Sequence, residues 1–340
     1  MAAITIHDVA ERAGVSIKTV SRVLNKEPNV RPATRQRVLE AVESLRYRPS
    51  VSARSLAGSR SFLIALFWDN PSPNYISDLQ RGAVSRCRED GYHLVLEPLE
   101  SATPVAPEIT RGTLLTLRPD GAILTPPVTD RAHVLEALDE AGVAYVRIAP
   151  DQDPERAAQV RIDDHQAAYE MTLHLLELGH RDIGFIVGHP DHGASHRRRD
   201  GFLQAMRDWN APVRDNRIVQ GFFSFQSGYQ CADRLLASGD RPTAIFASND
   251  DMALGVLAAA HRQRLSVPDD LSVAGFDDTP AAVSSAPALT TVRQPIFEMA
   301  AAAAEMLING EWDPAKPGHP PTRLLPFDVV IRESTAPPRV

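Results

Sequence analysis

The chain has 340 residues, above the usual size of a single core, so two or three domains are expected. Its 43% hydrophobic and 23% charged content is that of an ordinary globular protein, with no apolar run near the roughly 18 residues a membrane span needs. The formal net charge of −7 hides an asymmetry: residues 1–60 hold 11 Lys/Arg against 5 Asp/Glu, and the remainder 25 against 38. A small basic head on a large acidic body predicts that only the head meets a polyanion. In that head, "TIHDVAERAGVSIKTVSRVLN" carries Ile6, Val9, Ala10 and Ala13 at helical spacing, with Thr5 as N-cap and Gly14 as stop. Ser16 then caps a second short helix whose inward face is Val20, Val23 and Leu24. A third helix over about 33–45 brings Val38, Leu39, Val42 and Leu45. Two helices joined by a short Gly-containing turn form a helix-turn-helix.

Ile17, Lys18, Ser21 and Arg22 lie opposite the small core, at the start of the second helix. In this motif the early residues of that helix reach base edges in the major groove. Lys18 and Arg22 can each donate to guanine, and Ile17 can touch a thymine methyl. "DVAERAGVSIKTVSRVLN", "VRPATRQRVLEAVESLRYRPS" and "ARSLAG" resemble the DNA-binding head and hinge of the LacI/GalR repressors. The resemblance implies that Ile17, Lys18 and Arg22 read bases, and that Ser21, Asn25, Thr34 and Tyr47 hold backbone phosphates. It also implies a hinge over 49–60, between the head at 1–48 and the body at 61–340. There "PSVSARSLAGSRS" has a helix-starting Pro49 and a helix-stopping Gly58. A helix of about eight residues is too short to persist alone in water. Paired in a dimer it would lie in the minor groove, with Ala53 at the contact and Leu56 as the wedge between base pairs.

From residue 61 short β-branched runs alternate with amphipathic helices. Strands are expected at 61–67, 92–97, 121–125, 144–148, 182–187, 244–247 and 271–276, and helices at 75–90, 165–178, 195–209 and 249–264. This alternation implies parallel sheets with helices on both faces, and so many strands imply two doubly wound lobes. Ligands of such sheets bind beyond the strand carboxyl ends. Polar residues gather there: Asp69-Asn70, Thr125, Ser195 with Arg198, Asn249-Asp250 and Asp277-Asp278. The paired aspartates read either as helix caps and hydroxyl acceptors or as a metal or acid/base site. No GxGxxG, P-loop, GxSxG or HExxH motif and no nucleophile–base pair is present, so neither catalysis nor a cofactor is expected. Cys87 and Cys231 have neither disulfide-framework nor metal-ligand spacing, which suits buried thiols in a reducing cytoplasm. The opening "MAAITIHDVAERAG" has no secretory pattern.

"HLLELGHRDIGFIVG", "SHRRRDGF", "AIFASNDDMALG", "LSVAGFDDTPAAVSSAPALTTVRQP" and "VVIRESTAPP" resemble the effector domains of the same family and periplasmic sugar-binding proteins. The resemblance implies a first lobe over about 61–161 plus 292–322 and a second over about 162–291 plus 323–340. Its effector contacts would be Arg198, Asn249 and Asp277, with Phe223 as an aromatic platform, and Asp69, Tyr75 and Thr125 from the first lobe. Phe223 and Tyr75 have a second reading as core residues. "WDNPSPNY" departs from the family's commoner Asn-Pro-aromatic pattern, which leaves the identity of the sugar open, and within the family resemblance the effector is either a sugar that releases DNA or a purine corepressor. A guanidinium and a carboxylate suit neighbouring sugar hydroxyls, and an aromatic face suits the C–H side, so a small carbohydrate is expected. No leucine-heptad tail follows "STAPPRV"; a homodimer on a pseudo-palindromic operator is expected.

Overall fold

The computed structural model describes residues 4–24, 28–47, 60–100, 103, 106–237, 240–312 and 318–339. Asn25, Ala53, Leu56 and the rest of the expected hinge up to 59 lie outside them. The chain forms two units, residues 1–62 and 63–340.

In the first unit α1 spans Ile6–Ala13, α2 Ile17–Leu24 and α3 Pro32–Ser44. The Asp8 carboxylate accepts from the Thr5 N–H at 2.7 Å and from its hydroxyl at 2.8 Å, tying down the start of α1. Gly14 ends that helix in the left-handed conformation (φ 62°), where a side chain would be strained. The Ser16 hydroxyl accepts from the Thr19 N–H at 3.2 Å and opens α2. Val9, Ala10, Ala13, Val20, Val23, Val38, Ala41 and Tyr47 close over one core. Leu39 faces solvent instead, so the third helix contributes fewer apolar residues than its pattern suggests.

In the second unit the strands are β1 Leu63–Trp68, β2 His93–Pro98, β3 Gly121–Leu124, β4 Tyr145–Ile148, β5 Ala158–Arg161, β6 Ile183–Val187, β7 Ile218–Gln220, β8 Ala244–Ala247, β9 Ser272–Asp277, β10 Thr290–Arg293, β11 Thr322–Leu324 and β12 Asp328–Val330. The helices between them are α4 Pro73–Glu89, α5 Ala106–Leu117, α6 Ala132–Ala141, α7 Asp164–Glu177, α8 Gly193–Asp208, α9 Phe225–Leu236, α10 Asp250–Arg262, α11 Pro280–Ser284 and α12 Ile296–Asn309. The first sheet runs β11-β5-β4-β3-β1-β2 and is parallel throughout. The second runs β12-β10-β9-β8-β6-β7, with only β12 antiparallel. Central strands such as "GAIL", "IGFIV" and "AIFA" are buried along their whole length, as strands covered on both faces must be.

Neither lobe is contiguous. The chain crosses between lobes after β5, after β10 and after β11, so the second return falls between Leu324 and Asp328. Each sheet reverses its winding once, between β1 and β3 in the first lobe and between β6 and β8 in the second. A crevice opens at such a reversal, beyond the strand carboxyl ends.

Candidate functional site

On the head, Ile17 (40% exposed), Lys18 and Arg22 stand on the outer face of α2, while Val20 and Val23 point into the core. Ser21 and Thr34 are half-buried at its edge. Tyr47 is the remaining expected phosphate contact among the described residues. It is only 6% exposed and completes the head's core, and burial raises its phenol pKa. Its ring is enclosed because the turn after α3 folds back, the Tyr47 N–H donating to the Val42 carbonyl at 2.9 Å.

In the body, the loops at both reversals meet in one cleft with two chambers. The inner one, about 30 Å³, is walled from the first lobe by Asn70, Ser72, Tyr75, Pro126 and Ala149. From the second lobe and the crossings come Asp164, His192, Ala194, Arg198, Phe223, Asn249, Asp277 and Gln294. The outer one, about 780 Å³, lies at the mouth and shares Asn70 and His192 with the inner. Trp68, Asp69, Glu100, Arg131, His189, Asp191 and Phe222 are among its walls.

Arg198 holds the inner chamber together. Its Nε donates to Asp164 at 2.9 Å and its Nη1 to the Ser248 carbonyl at 2.6 Å, while its guanidinium lies 3.5 Å from the Phe276 ring centre. Asp277 approaches Nη1 at 4.0 Å and accepts from the Gln294 amide at 2.5 Å. Burial holds the Asp277 carboxyl well above the usual carboxylate range, with Arg198 opposing. Asn249 caps α10, accepting from the Met252 N–H at 3.0 Å, and donates to the Phe223 carbonyl at 3.0 Å. Phe223, at φ 58°, packs in the second lobe's core and also lines the chamber. Tyr75 likewise is buried and lines the chamber. His192 is held neutral, burial pushing its pKa down to about 3.

Of the expected first-lobe contacts, Thr125 is corrected and Asp69 stands on the cleft's outer wall. Thr125 is fully buried and its hydroxyl donates to the Phe67 carbonyl at 3.4 Å, leaving its neighbour Pro126 on the chamber wall. Asp69 faces the outer chamber; Asn70 is the residue of that pair that reaches the inner one. The remaining aspartates are internal. Asp250 accepts from the Thr279 N–H at 2.8 Å and the Thr291 hydroxyl at 2.6 Å, and Asp278 pairs with Arg293 at 2.7 Å and Arg332 at 2.5 Å. No group of three or more metal-ligating side chains occurs among the described residues.

Sequence reasoning missed Asp164 and Gln294, and both sit on the interlobe crossings. The "DD" after "QVRI" was available as a signal, but β5 is too short and mixed to announce a strand end. One further buried ion pair shapes the wall. Arg147 donates to Asp130 at 2.6 Å and to the carbonyls of Thr129, Gln152 and Asp153, fixing the loop that carries Ala149 and Asp151. Asp151 then pairs across the cleft with Arg197 at 3.0 Å, and Arg131 pairs across it with Asp191 at 2.7 Å.

Residues 5–50 match the model of bacterial regulatory proteins of the lacI family, and residues 172–335 that of the periplasmic binding protein-like domain. Catabolite control protein A of Priestia megaterium is 34% identical over 305 residues, covering 89% of this chain and 91% of that protein. The chain belongs to the LacI family. The HTH-type transcriptional regulator DegA of Bacillus subtilis is 36% identical over 338 residues, 98% of each chain. The HTH-type transcriptional repressor PurR of Haemophilus influenzae is 34% identical over 312 residues, 90% of each. Among solved structures, the transcriptional regulator CelR–cellobiose complex matches with TM-score 0.74 and 30% identity, over 97% of this chain and 99% of that one. The lac repressor dimer bound to operator and the anti-inducer ONPF matches with TM-score 0.79 and 28% identity, over 98% and 100%. As a LacI-family transcriptional regulator, the protein has a helix-turn-helix DNA-binding head and a ligand-binding body of periplasmic-binding-protein type. Its relatives are regulators rather than enzymes. No helix among the described residues is long and apolar enough to cross a membrane.

Proposed function

We propose that the protein is a cytoplasmic, homodimeric repressor that binds a pseudo-palindromic operator and is controlled by a small carbohydrate in the interlobe cleft. The observation that carries the effector class is the inner chamber's pairing of one guanidinium with two carboxyl groups beside the Phe223 ring. Adjacent hydroxyls of a sugar both donate and accept, which such a set satisfies, and the aromatic face takes the C–H side. Asp164 and Gln294 join Arg198, Asn249 and Asp277 as proposed effector contacts. Because Asp164 and Gln294 ride on the crossings, a ligand that ties them together acts on the segments about which the lobes move. A shift in lobe closure requires the effector to favour one arrangement over the other. In the head, Ile17, Lys18 and Arg22 read bases while Ser21, Asn25 and Thr34 hold phosphates. Leu56 of the hinge wedges the minor groove.

The test has two arms. A gel shift on operator-length palindromes at moderate salt should select one sequence, and Arg22→Ala should lose about 1–3 kcal/mol on it and relax preference at one base pair. An equal loss on random DNA would reduce Arg22 to a phosphate contact, and no sequence preference at all would sink the repressor reading. A thermal-shift screen of sugars, sugar phosphates and nucleobases reads the effector class, because a ligand of the native state raises the melting temperature. A response to nucleobases alone would replace the carbohydrate with a purine.

A further inference from the structure

We propose that Arg197 is a two-position switch. With the lobes closed its guanidinium holds the first lobe at Asp151, and with the lobes parted it turns to Asp164 in the effector chamber. The switch rests on an effector in the interlobe cleft, but not on that effector's being a carbohydrate.

The first position is a receptor built in advance. Arg197 lies on α8 of the second lobe, and its side-chain hydrogen bonds end on one loop of the first. Nη1 donates to Asp151 at 3.0 Å and to the Pro150 carbonyl at 3.3 Å, and Nη2 to the Ala149 carbonyl at 3.4 Å. Beneath that loop the Asp130 carboxylate accepts from the Asp151 N–H at 3.1 Å and the Gln152 N–H at 3.1 Å, and is itself held by Arg147. Ala149 and Asp153, on either side of Asp151, stand at φ 47° and 46°, a conformation that side chains disfavour and this scaffold maintains. The fit also requires glycine at the start of α8. A Cβ on Gly193 would lie 2.3 Å from the Asp151 Oδ1 and 2.4 Å from its Cβ.

The second position is Asp164. This side chain is 1% exposed; Arg198 donates to its Oδ1 at 2.9 Å, and its Oδ2 is buried with no hydrogen-bond partner. The Arg197 Nε stands 3.5 Å from that oxygen, close enough for attraction and too far for a good hydrogen bond. A buried carboxylate oxygen without a donor is costly, so Asp164 draws on Arg197 against Asp151. The three first-lobe acceptors prevail while the lobes are together, and parting the lobes removes all three at once. Asp164 stays within reach, because α7, which it opens, packs on α8 so closely that a Cβ on Gly201 would lie 2.1 Å from the His165 carbonyl.

Such an exchange gives the cleft two discrete arrangements joined through one side chain, and a two-state element of that kind is what coupling requires. An effector group that donates to the Asp164 Oδ2 takes the place Arg197 would fill with the lobes parted. Binding and closure then favour each other, because the bound effector removes the pair that stabilises the open arrangement.

Pulsed electron–electron distance measurements on the ligand-free full chain test the switch. Spin labels at Glu136→Cys of α6 and Arg207→Cys of α8, both exposed sites, report the interlobe distance, and excess unlabelled protein restricts the reading to one protomer. Cys87 and Cys231 are buried. Asp151→Asn should raise the open population at least about threefold, and Gly193→Ala, which leaves every charge in place, should do the same. Adding Asp164→Asn to Asp151→Asn should cancel about half of that gain or more, because the amide keeps an oxygen for Arg198 and turns a nitrogen to Arg197. Arg197→Gln, which serves neither position, should open the lobes less than Asp151→Asn does. Circular dichroism checks the fold of each variant. If Asp164→Asn left the opening in Asp151→Asn unchanged, or Arg197→Gln equalled it, Arg197 would be a one-position latch and the proposal would fail. Closed lobes in both Asp151→Asn and Gly193→Ala would overturn it as well. No sugar enters these measurements, so their failure leaves the carbohydrate reading standing, and a thermal-shift response to nucleobases alone would replace that reading without touching the switch.

Discussion

Arg198 acts within the protein as much as toward a ligand. It satisfies Asp164, a backbone carbonyl and an aromatic face together, so the chamber's geometry exists before anything enters it. His192 offers the clearest test at this scale. It is 4% exposed and its pKa falls from the usual value near 6.5 to about 3. The folded protein therefore refuses a proton that the unfolded chain accepts. The stability this confers is complete above about pH 6.5 and is lost as pH falls toward 3. Urea midpoints measured between pH 7 and pH 4 should fall less steeply for His192→Gln than for the parent; equal slopes would show that His192 does not resist protonation. Arg198, Asn249 and Asp277 were legible in the sequence because each stands beside a recognisable strand end or helix start. Thr125 stands at a strand end too, but points inward, and a strand's last residue can face either way.

The elements follow from close helix contacts that only glycine permits. A Cβ on Gly82 of α4 would lie 2.1 Å from the Phe297 carbonyl of α12, and one on Gly201 of α8 the same distance from the His165 carbonyl of α7. One on Gly255 of α10 would lie 2.4 Å from the Phe225 carbonyl of α9. The obstacle each time is backbone, which cannot rotate aside. Gly201→Ala should therefore cost about 1–3 kcal/mol from overpacking, despite a gain of up to about 1 kcal/mol in helix propensity. A denaturation midpoint equal to the parent's would show that α7 and α8 slide apart freely. Apart from the edge strand β2, the strands that sequence reasoning found are central and largely apolar, and those it missed, β5, β7, β10, β11 and β12, have three or four residues each with polar residues among them. In so short and mixed a length neither an alternation nor an apolar run can show. Helix α12, "IFEMAAAAAEMLIN", escaped for another reason: its alanines supply packing surface without a strong polar-apolar contrast.

For the body as a whole, closure is secured by charged pairs that span the cleft, Arg131–Asp191 and Arg197–Asp151. Arg131–Asp191 is partly exposed, so its contribution lies within about 0–1 kcal/mol and weakens with salt. Asp191→Asn should lower affinity for the effector up to about fivefold at low salt and have little effect at high salt. Titrations that match the parent at both salt levels would remove the pair from the closing step. The doubly wound architecture was legible from the alternation of runs. What the sequence conceals is which side of the cleft each loop faces, because that depends on strand order.

The discontinuity of the lobes also sets a timetable for synthesis. The head's core is complete once Tyr47 has left the ribosome, so this unit is finished while the rest is still being made. The first lobe has no such independence, because β5 pairs with β11, whose residues come some 160 positions later. At about 5–20 residues per second, that is roughly 10–30 s during which β5 is an unpaired edge. An unpaired parallel edge is a template for the wrong partner. The nascent chain thus carries a finished DNA reader attached to an unfinished sensor, and its most vulnerable surface during those seconds is the edge that β11 will cover.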